Sequence, residues 1–171
     1  LHNRILTMTS SVFSPFTLRG MTLRNRLVMS PMLMYRGQDD GMLNEHNYVH
    51  YASRALGGVA MIATEVLAVE PRGRISAKDL GLWNDDQARG LKRLVDFVQS
   101  CGARICAQLA HAGRKSHLAA TAIAPSAVPY DPELGTPGEA SAADIQGVID
   151  NFQAAARRAD ASASTRAPRA W

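Results

Sequence analysis

Cysteine is scarce: the chain has two in 171 residues, Cys101 and Cys106, and their spacing makes neither a metal nor a redox motif. A disulfide scaffold is therefore excluded, and a reducing, cytoplasmic setting is expected. No apolar run approaches the ~20 residues of a membrane span, and nothing resembles a signal peptide, so no membrane association is expected. Low hydrophobicity is missing too. With 46% hydrophobic and 20% charged residues, and 13 glycines in no regular period, the chain is neither mainly disordered nor collagenous. A basic face is also lacking. Of the net charge of +4, three units come from Arg4, Arg166 and Arg169 at the ends, which leaves residues 11–160 one unit in excess. A nucleic-acid binder would carry a basic stripe on a folded face, so no nucleic-acid partner is expected.

What is present is about one domain's worth of globular sequence. Its ends read as loose. Leu1 is no initiator, Met8 is the first candidate start, and the opening through residue 12 has no periodicity, which predicts a disordered leader over 1–12. The segment 161–171 is low in complexity and reads as an aberrant tail. Between them, over 13–160, strands alternate with helices. Residues 13–23 read as a hairpin turning at Arg19-Gly20. Arg26 to Met32 is a short apolar run suited to a strand buried on both faces. A helix follows from about Asn44 to Leu56, stopped by Gly57-Gly58. Val59 to Leu67 is a second strand, with Glu65 inside it. Asp85 can cap a second helix with Ala88, Leu91, Leu94, Val95 and Val98 on one stripe, ended by Gly102. Ala103 to Leu109 is the third strand. A proline-rich loop leads to Ser141, which caps a helix with Ile145, Val148, Ile149, Phe152, Ala155, Ala156 and Ala159 as its apolar face.

Alternation of this kind implies parallel strands with right-handed crossovers, in an open doubly wound sheet or a closed eight-unit barrel. The first strand ends in Ser30-Pro31-Met32, without the G-x-G-x-x-G of a dinucleotide-binding sheet, which favours the barrel. A whole barrel takes ~250 residues, so the fold class expected is α/β, the amino-terminal part of a (β/α)8 TIM barrel with about three units. Val28, Ile62 and Ile105 are then expected to face the barrel interior.

Barrel chemistry sits at the carboxyl ends of strands. Those places hold Ser30, Pro31, Met32, Leu33 and Tyr35, then Glu65 and Val66, then Gln108 with His111 to Lys115. Backbone amides, one amide side chain and apolar contacts suit a flat heteroaromatic cofactor. Blander readings stand beside this one. Gln108 could satisfy loop backbone, and Glu65 reads first as a structural acid paired with an arginine. Arg114 and Lys115 could be solvated or contact an anion. His46 and His50 have a zinc-capable spacing but no third ligand, so no metal is expected. Cys101 and Cys106 read as small buried residues. An aldolase would need a Schiff-base lysine on a strand, whereas Lys78, Lys92 and Lys115 lie in loops or on a helix.

Four segments carry a resemblance: Phe16 to Met32 (FTLRGMTLRNRLVMSPM), Gly57-Gly58 leading to Glu65, Asp79 to Trp83 (DLGLW), and Gln108 to Lys115 (QLAHAGRK). In that order they resemble the Old Yellow Enzyme family, nearest its YqjM-like bacterial ene-reductase branch. The resemblance implies an FMN-binding barrel that takes a hydride from NADPH or NADH and passes it to a small-molecule activated alkene. By position, Ser30, Pro31, Met32 and Leu33 would line the flavin, Val66 would lie beside its ring, Gln108 would bond its pyrimidine edge, and Tyr35 would face substrate. Homo-oligomerisation is a further possibility the resemblance leaves open.

Two departures qualify it. Leu33 stands where that branch normally has a cysteine that tunes the flavin. The family's His-x-x-His pair and following tyrosine, which bind and protonate substrate, and its later flavin and phosphate contacts do not occur in the sequence, so no catalytic residue is assigned. The alternative function is therefore a non-catalytic remnant or half-barrel interaction module. The family's helix continues through Gly-Phe-Asp where this chain has Ser162 to Thr165. Those four residues can be encoded TCG GCT TCG ACC, which read two bases on gives Gly-Phe-Asp. A reading-frame shift near residue 161 is the expectation. An internal deletion is its rival, because the closing Arg-Ala-Trp also resembles some family ends.

Overall fold

Local hydrogen bonding fixes the first elements. In the computed structural model, which describes residues 11–118 and 120–163, a 3-10 turn at Ser11–Phe13 leads into an antiparallel hairpin of β1 (Phe16–Leu18) and β2 (Met21–Leu23). Arg19 turns the hairpin with φ 52°. Residues 11 and 12 belong to that turn, since the Val12 carbonyl accepts from the Arg26 amide at 2.9 Å. The described residues thus include two, 11 and 12, that the sequence pattern assigns to the leader. The rest of the expected leader, 1–10, lies outside the described residues, as do 164–171 of the expected tail.

The main body follows in chain order: β3 (Val28–Met29), α1 (Glu45–Leu56), β4 (Met61–Ala68), β5 (Leu80–Gly81), α2 (Asp85–Ser100), β6 (Arg104–Ala110), β7 (Ile123–Ala124), β8 (Gly138–Glu139) and α3 (Ala142–Ser162). Each helix starts on a reciprocal cap. Asn44 pairs with Asn47, Asn84 with Gln87 and Ser141 with Asp144, each side chain accepting from the other's backbone amide. The cap of α2 is therefore Asn84 and not Asp85, because the reciprocal bond requires a partner three residues on, and Gln87 is that partner. Asp85 becomes the first helical residue and binds Arg158 of α3 at 2.8 Å. Gly102, at φ 75°, takes the chain out of α2 as expected.

Parallel pairing places β4 between β3 and β6. Along its other edge β4 pairs first with β3, at Met61 and Ile62, and then with β5, at Leu67 and Ala68. That sharing explains why β3 spans two residues and not the seven expected: the chain leaves the sheet after Met29, and β5 enters further along. Strands β5, β7 and β8 have two residues each and no periodicity that sequence could reveal.

Register decides which face is buried. Met29, Ile62 and Ile105 form one row across the sheet, and Val28, Met61 and Arg104 form the next. Paired residues point to the same side and successive ones to opposite sides. Ile62 is fully buried in a core with Tyr51, Leu91, Leu94 and Val98, and Ile105 packs against that core. Ile62 and Ile105 therefore face the helices, not the barrel interior, because the pleat pairs Ile62 with Met29. Val28 does face the open side, where it is 51% exposed, so the first strand is not buried on both faces. The stripe of α2 is buried as expected. On α3, Ala155 is buried and Phe152 and Ala159 pack on the core, whereas Ile145, Ile149 and Ala156 are exposed. The helix runs through Ser162, whose hydroxyl bonds the Ala88 carbonyl at 3.2 Å. No described helix is long and apolar enough to cross a membrane.

Candidate flavin-facing site

The carboxyl ends of β3, β4 and β6 emerge side by side. Ser30, Pro31 and Met32 follow β3 directly and are exposed. Leu33 and Met34 are half-buried, and Tyr35 is exposed with φ 53°. A non-glycine residue in this left-handed region needs a loop held from outside, and Met34 shows what holds it. Its amide donates to the Glu65 carboxylate at 3.2 Å.

On β4, the pairing with β6 shifts register between Ala63 and Val66. Past the shift, Val66 and Gln108 are direct partners on adjacent strands. Val66 is half-buried and Gln108 exposed. The Gln108 backbone donates to the Thr64 hydroxyl at 3.2 Å, and its side-chain amide bonds none of the described residues. The reading in which that side chain satisfies loop backbone is thereby set aside. Ser30 and Tyr35 side chains are equally unengaged among the described residues. The strand ends thus present one free amide, one hydroxyl, one phenol and the apolar surface of Pro31, Met32 and Val66.

Glu65 is a structural acid, but not with the partner expected. It is fully buried, and among the described residues no arginine pairs with it. Asn47 Nδ2 and the Tyr51 hydroxyl donate to Oε1 at 3.1 and 3.2 Å, the Met34 amide donates to Oε2, and the Tyr51 oxygen accepts from the Glu65 amide at 2.6 Å. Burial raises its pKa above the ordinary carboxylate value, the three donors pull it down, and the charge of Asp79 pushes it up again. The Tyr51 hydroxyl is likewise raised, by burial first and then by the charge of Glu65.

A second network fastens the loops beyond the strands. His111 donates from Nε2 to Glu70 Oε1 at 2.8 Å, while its Nδ1 accepts from the Gly113 amide at 3.0 Å. An acceptor at one ring nitrogen and a donor at the other match the tautomer with the proton on Nε2. Glu70 also accepts from Arg72 Nε at 2.6 Å and Asn151 Nδ2 at 2.7 Å, and Arg72 Nη1 reaches Asp144 at 2.9 Å. These bonds tie the loops after β4 and β6 to α3. Gly73 is required there, because a Cβ would stand 2.8 Å from the His111 ring. Sequence reasoning missed Glu70, Arg72 and Asn151. The available signal was an acid two residues beyond a strand end, facing the histidine that follows the neighbouring strand.

The remaining candidates serve the scaffold. Lys115 lies in a 3-10 turn, its Nζ 4.8 Å from the Tyr130 ring centroid. No group of three His, Cys, Asp or Glu among the described residues could hold a metal ion. Burial, then Arg54 and His46, lower the pKa of His50. Both cysteines are half-buried and unpaired rather than fully buried, and burial pushes the Cys106 thiol up. A wide cleft of about 780 Å³ lies beside Glu70, Arg72, Arg74, His117 and Leu118 and includes none of the strand-end residues. Its arginines are engaged, Arg74 with the carbonyls of Pro71, Asp39 and Ala77. The chemistry of the strand ends outweighs the size of this cleft.

The profile of the NADH:flavin oxidoreductase / NADH oxidase family matches residues 11–164. The NADPH dehydrogenases of Geobacillus sp. (strain WCH70) and Geobacillus thermodenitrificans (strain NG80-2) are 48% and 49% identical over 153 residues, 89% of this chain and 45% of theirs. Among solved structures, morphinone reductase superposes with TM-score 0.78 at 27% identity, covering 89% of this chain and 45% of its own. An old yellow enzyme homologue from Zymomonas mobilis does so with TM-score 0.78 at 26% identity, covering 89% and 46%. The chain therefore spans about half the length of the relatives it matches.

Proposed function

Since this chain belongs to the NADH:flavin oxidoreductase / NADH oxidase family, we propose that its strand ends form the flavin-facing part of an FMN-dependent NAD(P)H oxidoreductase acting on small activated alkenes. The observation that carries this reading is the unengaged Gln108 amide beside Val66, at the mouth of adjacent parallel strands. A burial-neutral role would have left that amide bonded to its own loop. The donor set fits the cofactor: FMN needs donors and acceptors along its pyrimidine edge and apolar packing on its face.

When bound, FMN supplies hydride transfer from NAD(P)H to the alkene. The protein's residues divide the remaining tasks. Gln108 would bond the pyrimidine edge, where donors favour an electron-rich ring. Pro31, Met32 and Val66 would pack on the ring and exclude water, and Ser30 would supply a hydroxyl at the same rim. Leu33 offers no hydrogen bond, so this position would contact the ring by packing alone. Tyr35, exposed and held at φ 53°, would face the substrate. A cytoplasmic location accompanies this reading, supported by the two unpaired cysteines.

A non-catalytic half-barrel module is the second reading, and the open sheet face at Val28 supports it. The two differ over cofactor. The 171-residue chain mixed with excess FMN and desalted is expected to retain flavin absorbing near ~450 nm. A flavin-free protein fraction would favour the module.

A further inference from the structure

Glu65 is a buried titratable group that flavin binding itself does not use, and its surroundings are unusual for an acid. Three groups donate to it: the Met34 amide, the Asn47 amide and the Tyr51 hydroxyl. The Tyr51 oxygen is already taken up by the Glu65 amide. Three donors on its two oxygens suit the ionised form, whereas a protonated carboxyl would have to release one of them or turn to the second lone pair of the Tyr51 oxygen. Yet no cation among the described residues is paired with it, and a buried charge is kept only where hydrogen bonds compensate it.

The donors come from different places. Asn47 and Tyr51 stand on α1, which is anchored by its own cap. Met34 stands in the loop that carries Ser30 to Tyr35, between Leu33 and Tyr35. Glu65 thus bridges a rigid helix to a loop that returns, one residue later, through a left-handed conformation. We propose that Glu65 is the positioning residue of the strand-end site: as a carboxylate it clamps the Met34 amide to α1 and so fixes where Leu33 and Tyr35 stand. The functional consequence rests on the flavin reading above; the clamp itself does not.

The isosteric Glu65→Gln variant tests it. A glutamine oxygen can serve Met34 or the α1 pair, but its NH2 then meets a donor, so one side of the bridge opens. Groups facing the carboxylate are Asn47 and Tyr51 from α1, Met34 from the loop and the charge of Asp79 ahead of β5.

Hydrogen exchange of the full chain, read by mass spectrometry without flavin, should show peptides covering residues 30–35 exchanging about tenfold faster in Glu65→Gln, the fold-change of a lost hydrogen bond. Peptides of α2 should be unchanged. FMN affinity of the variant should fall by a similar factor. Unchanged exchange at residues 30–35 overturns the clamp, and faster exchange with unchanged FMN affinity overturns its positioning role. If the unaltered chain binds no FMN, the flavin reading fails while the exchange comparison still decides the clamp. If Glu65→Gln loses α2 protection as well, the unaltered chain decides. Corrected for intrinsic rates, its 30–35 protection should drop on acidification while α2 stays protected. Protection at 30–35 retained wherever α2 is protected overturns the proposal.

Discussion

At the scale of single residues, the account turns on charge and hydrogen bonding at Glu65 and Gln108. Burial raises the Glu65 pKa, so the folded state binds its proton more tightly than the unfolded chain does. Below the unfolded value near 4.5 both states are protonated, the contribution is fully present and stability does not change with pH. As pH rises through the window between that value and the raised one, the folded state loses stability relative to the unfolded. The stability of the unaltered chain relative to Glu65→Gln should therefore decline as pH climbs above about 4.5. Urea midpoints of both proteins across that range check it; a difference that grows with pH would mean the pKa is lowered, not raised. The residue Glu65 also shows where sequence reading stopped. An acid inside a strand was visible, but its donors lie 14 to 31 residues upstream. Nothing in local pattern distinguishes them from an arginine placed elsewhere.

At the scale of elements, most boundaries were legible because they rest on local chemistry. The hairpin turn at Arg19-Gly20, the Asn44 and Ser141 starts and the Gly102 stop each depend on residues within one turn of each other. The start of α2 was misplaced by one residue because two polar candidates stood side by side, and only the reciprocal partner separates them. Asn84→Ala should cost about 1 kcal/mol of stability, the usual worth of a cap, and Asp85→Ala distinctly less. Thermal melts of the two variants test the assignment; equal losses would return the cap to Asp85. The two-residue strands β5, β7 and β8 were not legible, since pairing with a distant strand creates them, not propensity.

At the scale of the whole molecule, the parallel order β3–β4–β6 followed from alternation of strands and helices, but the facing of the sheet did not. A one-residue change in register moves a whole row to the other side, so only the observed pairing could place Ile62 against α2. The same register leaves Val28, Met61, Val66 and Gln108 on the side opposite the helices. Together with exposed Phe13, Leu18, Ile145 and Ile149, this leaves extensive apolar surface on the described residues. Such surface, with the unpaired outer edges of described β3 and β6, drives association. The full chain is expected to sediment as concentration-dependent oligomers, and Val28→Lys to shift it toward monomer without lowering its melting temperature. A monodisperse monomer across the concentration range would contradict this. NADPH oxidation with added FMN and cyclohexenone is expected to stay at background, because the His-x-x-His pair and following tyrosine, which the family resemblance assigns to holding and protonating substrate, do not occur in these 171 residues.

The central claim is that the strand ends face a flavin through Gln108. Fluorescence titration of FMN with the full chain, beside Gln108→Ala, tests it most directly. The account predicts saturable quenching by the unaltered chain and affinity weaker by about tenfold in the variant, the loss of one hydrogen bond in a shielded site. Quenching of equal strength and affinity in both proteins would contradict it.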